Sequence, residues 1–157
     1  MSDAIDISLT VNGERVRARV EPRKHLVDFL RQDLGLMGSH IGCEHGVCGA
    51  CTLRVDGDIV RGCLVLAASL DGATVETIEG LSDSGEIRDL QDAFIARNAA
   101  QCGFCTPGML MAAADLLKHN PKASRDEIRE HISGNYCRCT GYQAIVDAIE
   151  TTAKARG

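Results

Sequence analysis

The chain has 157 residues, 45% of them apolar, and a formal net charge of −5, which suits one or two small globular domains. Acidic and basic residues are interspersed, so neither a basic nucleic-acid-binding face nor a polybasic membrane anchor is predicted. No secretory signal pattern opens the sequence, and the longest largely apolar stretch, Leu64–Leu70, is too short to span a bilayer. We therefore expect a cytoplasmic protein without membrane insertion.

The chain opens with the pattern of a β-hairpin followed by a helix. Apolar and polar residues alternate over Ile5–Val11 and over Val16–Val20, and Asn12-Gly13 between them supplies a two-residue turn. Apolar residues then recur at helical spacing over Leu26–Leu34, and Gly35 can end that helix.

A loop rich in glycine and cysteine follows, from Gly38 to Cys51. Thr52–Val55 and Asp58–Val60 flank Asp56-Gly57 in the pattern of a second hairpin, and Thr74–Ile78 predicts a further strand. The first half of the chain is therefore predicted to be a sheet with one helix across it.

The second half predicts helices only. Glu79–Glu86, rich in Gly, Ser and Asp, is the best candidate for a linker, because the apolar period changes beyond it. Four helices are predicted, over Ile87–Ile95, from Thr106 to Asn120, from Ser124 to Gly134, and from Thr140 onward.

Three capping patterns mark the starts of these helices. Thr106-Pro107 has the pattern of an N-cap followed by the first helical residue. Two capping boxes are predicted, Ser124 with Glu127 and Thr140 with Gln143.

The eight cysteines fall into two sets, and the first has the spacing of plant-type [2Fe–2S] ferredoxins: Cys43, Cys48, Cys51 and, after the hairpin, Cys63. Three thiolates from one loop must reach two irons while the backbone wraps the bridging sulfides. Such wrapping requires small residues with access to positive φ, and the loop contains Gly42, Gly46 and Gly49.

Alternative roles for the first set are disulfides, zinc and mixed ligation. In a reducing compartment, closely spaced cysteines favour metal over disulfides, and disulfides would not explain the glycines. Zinc remains open, because four thiolates also suit a tetrahedral site. His40 and His45 could suggest Rieske-type ligation, but four cysteines are already available, so we predict solvated loop residues.

The second set comprises two pairs, Cys102 with Cys105 and Cys137 with Cys139. Each pair lies just before a predicted helix start. Unpaired N–H groups and the positive dipole end of a helix favour an anionic thiolate cluster, so two loops could clasp one cluster at an end of the bundle. Taken alone, this spacing also suits structural zinc.

Four segments carry a family resemblance: GCEHGVCGAC, RGC, QCGFCTPGM and GNYCRCTGYQ. They closely resemble the iron–sulfur subunit of the xanthine dehydrogenase (molybdenum hydroxylase) family, over nearly the whole chain and in its separate-subunit bacterial form. The resemblance implies an α+β protein. Its N-terminal part, residues 1–79, would be a β-grasp plant-type ferredoxin domain, and residues 80–157 would be an all-α four-helix domain, with one [2Fe–2S] cluster in each.

The resemblance also implies roles for particular residues. The cluster nearer molybdenum would be held by the second cysteine set, and the cluster nearer the flavin by the first. In the family, the Gln of the QCG motif and the last Cys of the CRC motif lie against the pterin. This implies that Gln101 and Cys139 contact the pterin here.

The implied partners are a large molybdopterin-binding subunit, expected to carry the cytosine dinucleotide form, and a medium FAD-binding subunit, in a heterotrimer or a dimer of heterotrimers. Carbon monoxide dehydrogenases of the family typically carry an Asp-Thr-Ser-His run between the first two loop cysteines. This chain has Glu44-His45-Gly46-Val47 there, which disfavours carbon monoxide as substrate and leaves N-heterocycles and aldehydes open.

The leading hypothesis is an electron-transfer subunit of a multi-subunit oxidoreductase, since no general base, nucleophile or phosphate-binding loop is evident. Two alternatives remain, a free ferredoxin-like carrier and a structural or regulatory zinc protein. A subunit should expose apolar area around Gln101, Cys139 and the seam between the two domains, whereas a carrier should be acidic there.

Overall fold

The structure, a computed structural model, describes residues 4–157; the first three residues of the predicted N-terminal domain lie outside that range. Its first half is one mixed sheet with the strand order β2-β1-β5-β3-β4. The strands are Ile5–Val11 (β1), Glu14–Val20 (β2), Thr52–Val55 (β3), Asp58–Arg61 (β4) and Thr74–Glu76 (β5). β1 runs parallel to β5, and the other neighbours are antiparallel.

Both predicted hairpins are confirmed. Asn12 and Gly13 take φ values of 50° and 83°, and Asp56 and Gly57 take 49° and 96°. Positive φ at both turn residues is the type I′ geometry, whose twist matches that of the flanking strands.

One short helix crosses the sheet, as predicted for a β-grasp domain. It begins as α1 (Leu26–Asp28) and continues as a π-helical turn over Phe29–Asp33, and Gly35 follows with φ 70°. Leu26, Phe29 and Leu30 are completely buried in the core beneath the sheet.

The second half is helical: Ile78–Asp83 (α2), Arg88–Ala96 (α3), Thr106–His119 (α4), Arg125–His131 (α5) and Gln143–Arg156 (α6). The four predicted helices are confirmed as α3 to α6. They share a second core, in which α4 is the central helix and is buried without interruption over Gly108–Leu117. No helix among residues 4–157 is both long and apolar enough to cross a bilayer.

The prediction that Glu79–Glu86 is a linker was wrong, because α2 occupies most of it. Leu81 packs into the helical core, while the Glu79 carboxylate accepts a hydrogen bond of 2.7 Å from the backbone N–H of Gly38 in the first half. Tertiary contacts on both sides override the weak helix propensity of Gly, Ser and Asp. The division of the chain between residues 79 and 80 stays a prediction.

The capping predictions had mixed outcomes. The Ser124 box is confirmed: the backbone N–H of Ser124 donates to Glu127 at 2.7 Å, and that of Glu127 donates back to the Ser124 hydroxyl at 3.4 Å. Thr106 is wrong as an N-cap, because Cys105 takes that position and no side chain caps the helix. Thr140 is also wrong, since α6 begins at Gln143, after Tyr142 in the left-handed region with φ 67°.

We expect Leu90→Ala to lower the free energy of unfolding by about 2–5 kcal/mol, because it leaves a cavity in the helical core. Ile95→Ala is the matched control on the same helix. Leu90 is 0% exposed and Ile95 is 76% exposed, so the control should change stability by no more than about 0.5 kcal/mol. Thermal unfolding midpoints measured side by side would test this; equal midpoints for the two variants would contradict the assigned core.

Candidate metal centres

All eight cysteines are free thiols, and they lie in two groups at the junction of sheet and helices. The first group comes from the loop before β3 and from the turn after β4, and contains Cys43, Cys48, Cys51 and Cys63. The second group comes from the loop before α4 and from the loop before α6, and contains Cys102, Cys105, Cys137 and Cys139. The structure thus brings together the members of each predicted set.

Within the first group, the thiols meet as two pairs. Cys43 interacts directly with Cys48, and Cys51 with Cys63. The charge of Cys48 also raises the pKa of Cys51. The backbone N–H groups of Cys48 and His45 lower the pKa of Cys43 to about 6. Burial raises the pKa of Cys51 to about 11, so one pair is buried and the other is held by N–H donors.

The backbone of the first loop suits the wrapping predicted from its glycines. Gly46 and Gly49 take φ values of 82° and 74°, and Glu44, not anticipated from the sequence, takes 58°. The N–H of Cys48 donates to the Cys43 sulfur at 3.4 Å. Gly42 has no positive φ, but a Cβ there would lie 3.0 Å from the Cys48 sulfur, so its small size is needed for close approach.

The second group also forms two pairs, and each pair joins the two loops. Cys105 interacts with Cys137, and Cys102 with Cys139. Burial raises the pKa of Cys105 to about 12, and the side chain of Cys102 raises the pKa of Cys139. Burial also opposes ionisation of Cys137, but hydrogen bonds from Thr140, the Cys139 backbone and the Cys105 side chain together lower the pKa of that thiol.

Two residues beside Cys137 were not recognised in the sequence as part of the site. The Thr140 hydroxyl lies 3.1 Å from the Cys137 sulfur and accepts from the N–H of Tyr142 at 3.2 Å. The Tyr142 hydroxyl accepts from the N–H of Cys137 at 2.9 Å and donates to the carbonyl of Asn135 at 3.2 Å. Thr140 was predicted to cap the following helix, but its hydroxyl contacts the Cys137 sulfur instead.

The two cysteine loops contact each other directly. The N–H of Tyr136 donates to the carbonyl of Cys48 at 2.8 Å. The ring of His40 stacks on Phe104 with centroids 4.7 Å apart, and its Nδ1 donates to the Phe104 carbonyl at 2.7 Å. The prediction that His40 is simply a solvated loop residue was therefore wrong, whereas His45 is exposed and contacts the Cys43 carbonyl.

Exposure differs between the two ends of this arrangement. Cys51 and Cys63 are each 2% exposed, whereas Cys102 and Cys139 lie at the surface. Gln101 is also exposed and adjoins Cys102, so it is accessible to a partner. The pterin contacts of Gln101 and Cys139 stay a prediction.

The pairing of the thiols bears on which metal fits. Among residues 4–157, no three or more His, Cys, Asp and Glu side chains are grouped so that they could hold a metal ion. The thiols instead lie as two pairs in each group, and a [2Fe–2S] cluster has two irons that each take two thiolates. The donor set and the glycine-lined first loop therefore fit one such cluster per group.

Comparison with known protein families assigns the same chemistry to both halves. Residues 9–78 match the family described as "2Fe-2S iron-sulfur cluster binding domain", and residues 77–150 match "[2Fe-2S] binding domain".

Individual relatives match over nearly the whole chain. The nicotine 6-hydroxylase small subunit of Paenarthrobacter nicotinovorans is 53% identical, covering 94% of this chain and 89% of the relative. The caffeine dehydrogenase subunit gamma of Pseudomonas sp. (strain CBB1) is 51% identical, covering 94% and 90%. The crystal structure of quinoline 2-oxidoreductase from Pseudomonas putida 86 contains a chain that is 52% identical, with a TM-score of 0.93 over 99% of this chain and 96% of that one.

We expect Cys48→Ala to remove the cluster of the first group while the helical half keeps its own. The physical reason is that the two groups share no thiol. Electron paramagnetic resonance of the reduced protein should lose one of two signals. Cys105→Ala is the matched variant and should remove the other; loss of the same signal in both variants would contradict the grouping.

Proposed function

This chain belongs to the small iron–sulfur subunits of the molybdenum hydroxylases, in the xanthine dehydrogenase family, and we propose that it relays electrons from a molybdopterin centre on one partner subunit to FAD on another. The chain is a subunit of an oxidoreductase, and its own contribution is electron transfer. The observation that carries the proposal is the presence of two separate thiol quartets that touch through their loops.

We assign the eight cysteines as the cluster ligands. When bound, each cluster supplies one-electron redox chemistry at a potential that the surrounding protein tunes. The protein holds the cysteines in place, directs N–H groups at the sulfurs, as Cys48 does at Cys43, and keeps Cys51 and Cys63 away from water.

The exposed end of the second group is the proposed entry point for electrons. Cys139 and Gln101 are assigned to the pterin contact, which requires that both be reachable from outside the chain, and both are exposed. The first group would then pass electrons on toward the flavin.

The surface near the second group favours a subunit over a free carrier. Phe104 is 49% exposed and Tyr136 is 55% exposed, and each directly neighbours a cysteine of this group or lies between two of them. No acidic residue occurs in 98–106 or 134–143, where a carrier would present negative charge. Apolar rings around a redox centre suit a permanent interface that excludes water.

The proposed partners are a large subunit with molybdopterin, in the cytosine dinucleotide form, and a medium subunit with FAD, assembled as a heterotrimer or a dimer of heterotrimers. A reducing compartment such as the cytoplasm suits eight cysteines that must stay unoxidised to bind iron.

We further propose that the complex oxidises a nitrogen heterocycle. Nicotine, caffeine and quinoline, which appear in the names of the three proteins compared above, are all nitrogen heterocycles, and those proteins are 51–53% identical to this chain. The matching segment of one aldehyde oxidoreductase is 43% identical, and the iron–sulfur subunit of another is 39% identical. The substrate itself would be bound by the large subunit.

Metal and sulfide analysis tests the cluster assignment. Two [2Fe–2S] clusters predict about four iron and about four acid-labile sulfide per chain, and Cys48→Ala should retain about half of each. Zinc without sulfide would overturn the assignment in favour of a structural zinc protein.

Purification of the tagged chain from its native source tests the partners. We expect it to bring down one protein with molybdenum and one with flavin, and the assembly to oxidise nitrogen heterocycles with reduction of the flavin. Recovery as a lone iron–sulfur protein would favour the free carrier, and oxidation of aldehydes only would refute the proposed substrate class.

A further inference from the structure

A single buried amide lies between the two cysteine loops. Asn135 is 2% exposed, and its side-chain NH2 group faces three acceptors on three elements. These acceptors are the carbonyl of Gly49 in the first cysteine loop at 3.1 Å, the hydroxyl of Thr52 at the start of β3 at 3.1 Å, and the carbonyl of Gly108 in the first turn of α4 at 3.0 Å. Asn135 thus connects the cysteine loop before α6 to the other loop and to α4, the helix that begins directly after Cys105.

Arg61, at the end of β4, closes the same network from the sheet. Its guanidinium donates to the Thr52 hydroxyl at 2.6 Å, to the Gly134 carbonyl at 2.9 Å and to the Asn135 side-chain oxygen at 3.5 Å. The Thr52 hydroxyl in turn donates to the Gly49 carbonyl at 2.6 Å. Every polar atom of the Asn135 side chain therefore has a partner, as a buried amide requires.

The backbones around Asn135 approach without side chains between them. A Cβ on Gly108 would overlap the carbonyl oxygen of Gly49. A Cβ on Gly49 would lie 2.5 Å from the carbonyl oxygen of Gly134 and 2.8 Å from the Cα of Asn135. The two loops consequently have little freedom to shift while the amide keeps its bonds.

This network determines where Tyr136 lies. Tyr136 follows Asn135 and precedes Cys137, and its N–H donates to the carbonyl of Cys48 at 2.8 Å. One hydrogen bond therefore joins the main chain of a cysteine in the first group to the residue next to a cysteine in the second group.

We propose that Asn135 is a positioning residue for electron transfer between the two clusters. By bonding to Gly49 and Gly108 it holds the two cysteine loops at one separation and keeps the Tyr136 N–H on the Cys48 carbonyl. Electron transfer between two centres falls steeply with their separation, so a residue that fixes this separation controls the relay without touching either centre. The proposal rests on the proposed function, since it requires both clusters.

The test compares Asn135→Ala with Asn120→Ala in the intact chain with its clusters. Asn120 lies in the same half and donates to Glu127 at 3.1 Å, away from both cysteine loops, so it controls for loss of an Asn hydrogen bond. The readouts are iron and sulfide content, the magnetic interaction between the two reduced clusters, and hydrogen exchange of the peptide that contains Tyr136.

We expect N135A to keep both clusters, to weaken their magnetic interaction, and to speed exchange of the Tyr136 peptide by about tenfold or more, because the bonds that tie this loop to Gly49, Thr52 and Gly108 are lost. N120A should change neither the cluster content, nor the magnetic interaction, nor the exchange of the Tyr136 peptide. In the assembled enzyme, N135A should slow reoxidation of the second cluster by the flavin, with substrate reduction of molybdenum unchanged.

An unchanged magnetic interaction and unchanged exchange in N135A with full iron content would overturn the proposal. Should N135A yield no loaded protein, Asn135→Leu carries the same test, since it keeps a side chain of similar size but removes the bonds to Gly49, Thr52 and Gly108. Wild-type protein without iron would refute the proposed function instead, so the two failures are distinguishable.

Discussion

The two cysteine loops meet where the sheet half and the helical half touch, and hydrogen bonds across this contact satisfy backbone groups that the loops expose there. A loop that wraps a cluster cannot use its carbonyls in a sheet or helix, and an unpaired buried carbonyl is costly. Here the carbonyls of Cys48, Gly49, Gly108 and Gly134 accept from Tyr136, Asn135 and Arg61. The sheet half and the helical half therefore hydrogen-bond to each other through their cysteine loops.

The halves are also fastened away from the cysteines, which keeps this contact rigid. Arg54 in β3 is buried, and its guanidinium pairs with Glu76 of β5 and with Glu86 beyond α2. Glu79 bonds back to Gly38, while Leu81 on the same helix lies in the helical core. With attachments at both ends of α2, the segment between the halves is a structural element, and the separation of the two thiol groups does not depend on a flexible connection.

The thiol groups differ in how the protein treats charge. In the first group, N–H donors favour the ionised form of Cys43 while burial disfavours that of Cys51. In the second group, burial disfavours the ionised form of Cys105, whereas Cys102 and Cys139 lie at the surface. This asymmetry suits an electron relay, because the exposed end can contact a partner's cofactor. The interior thiols remain in a low-dielectric environment, where small changes in hydrogen bonding tune the redox potential.

Local sequence determined the elements and the two thiol groups of this protein. Period, turn residues and cysteine spacing act over a few residues, which is why the Asn12-Gly13 hairpin, the Ser124 box, helix α4 and the membership of each thiol group could be predicted. Only the tertiary structure decided the roles of residues whose partners are distant in the chain. Asn135 bonds to groups 27 to 86 residues away, and Arg61 bonds to Gly134 and Asn135, 73 and 74 residues away. Helix α2 forms in a segment of loop-like composition, and the Thr140 hydroxyl contacts a sulfur instead of capping a helix. The physical reason is that a hydrogen bond across a domain boundary leaves no periodic pattern in the sequence, because its two ends belong to elements whose packing is set by the whole core.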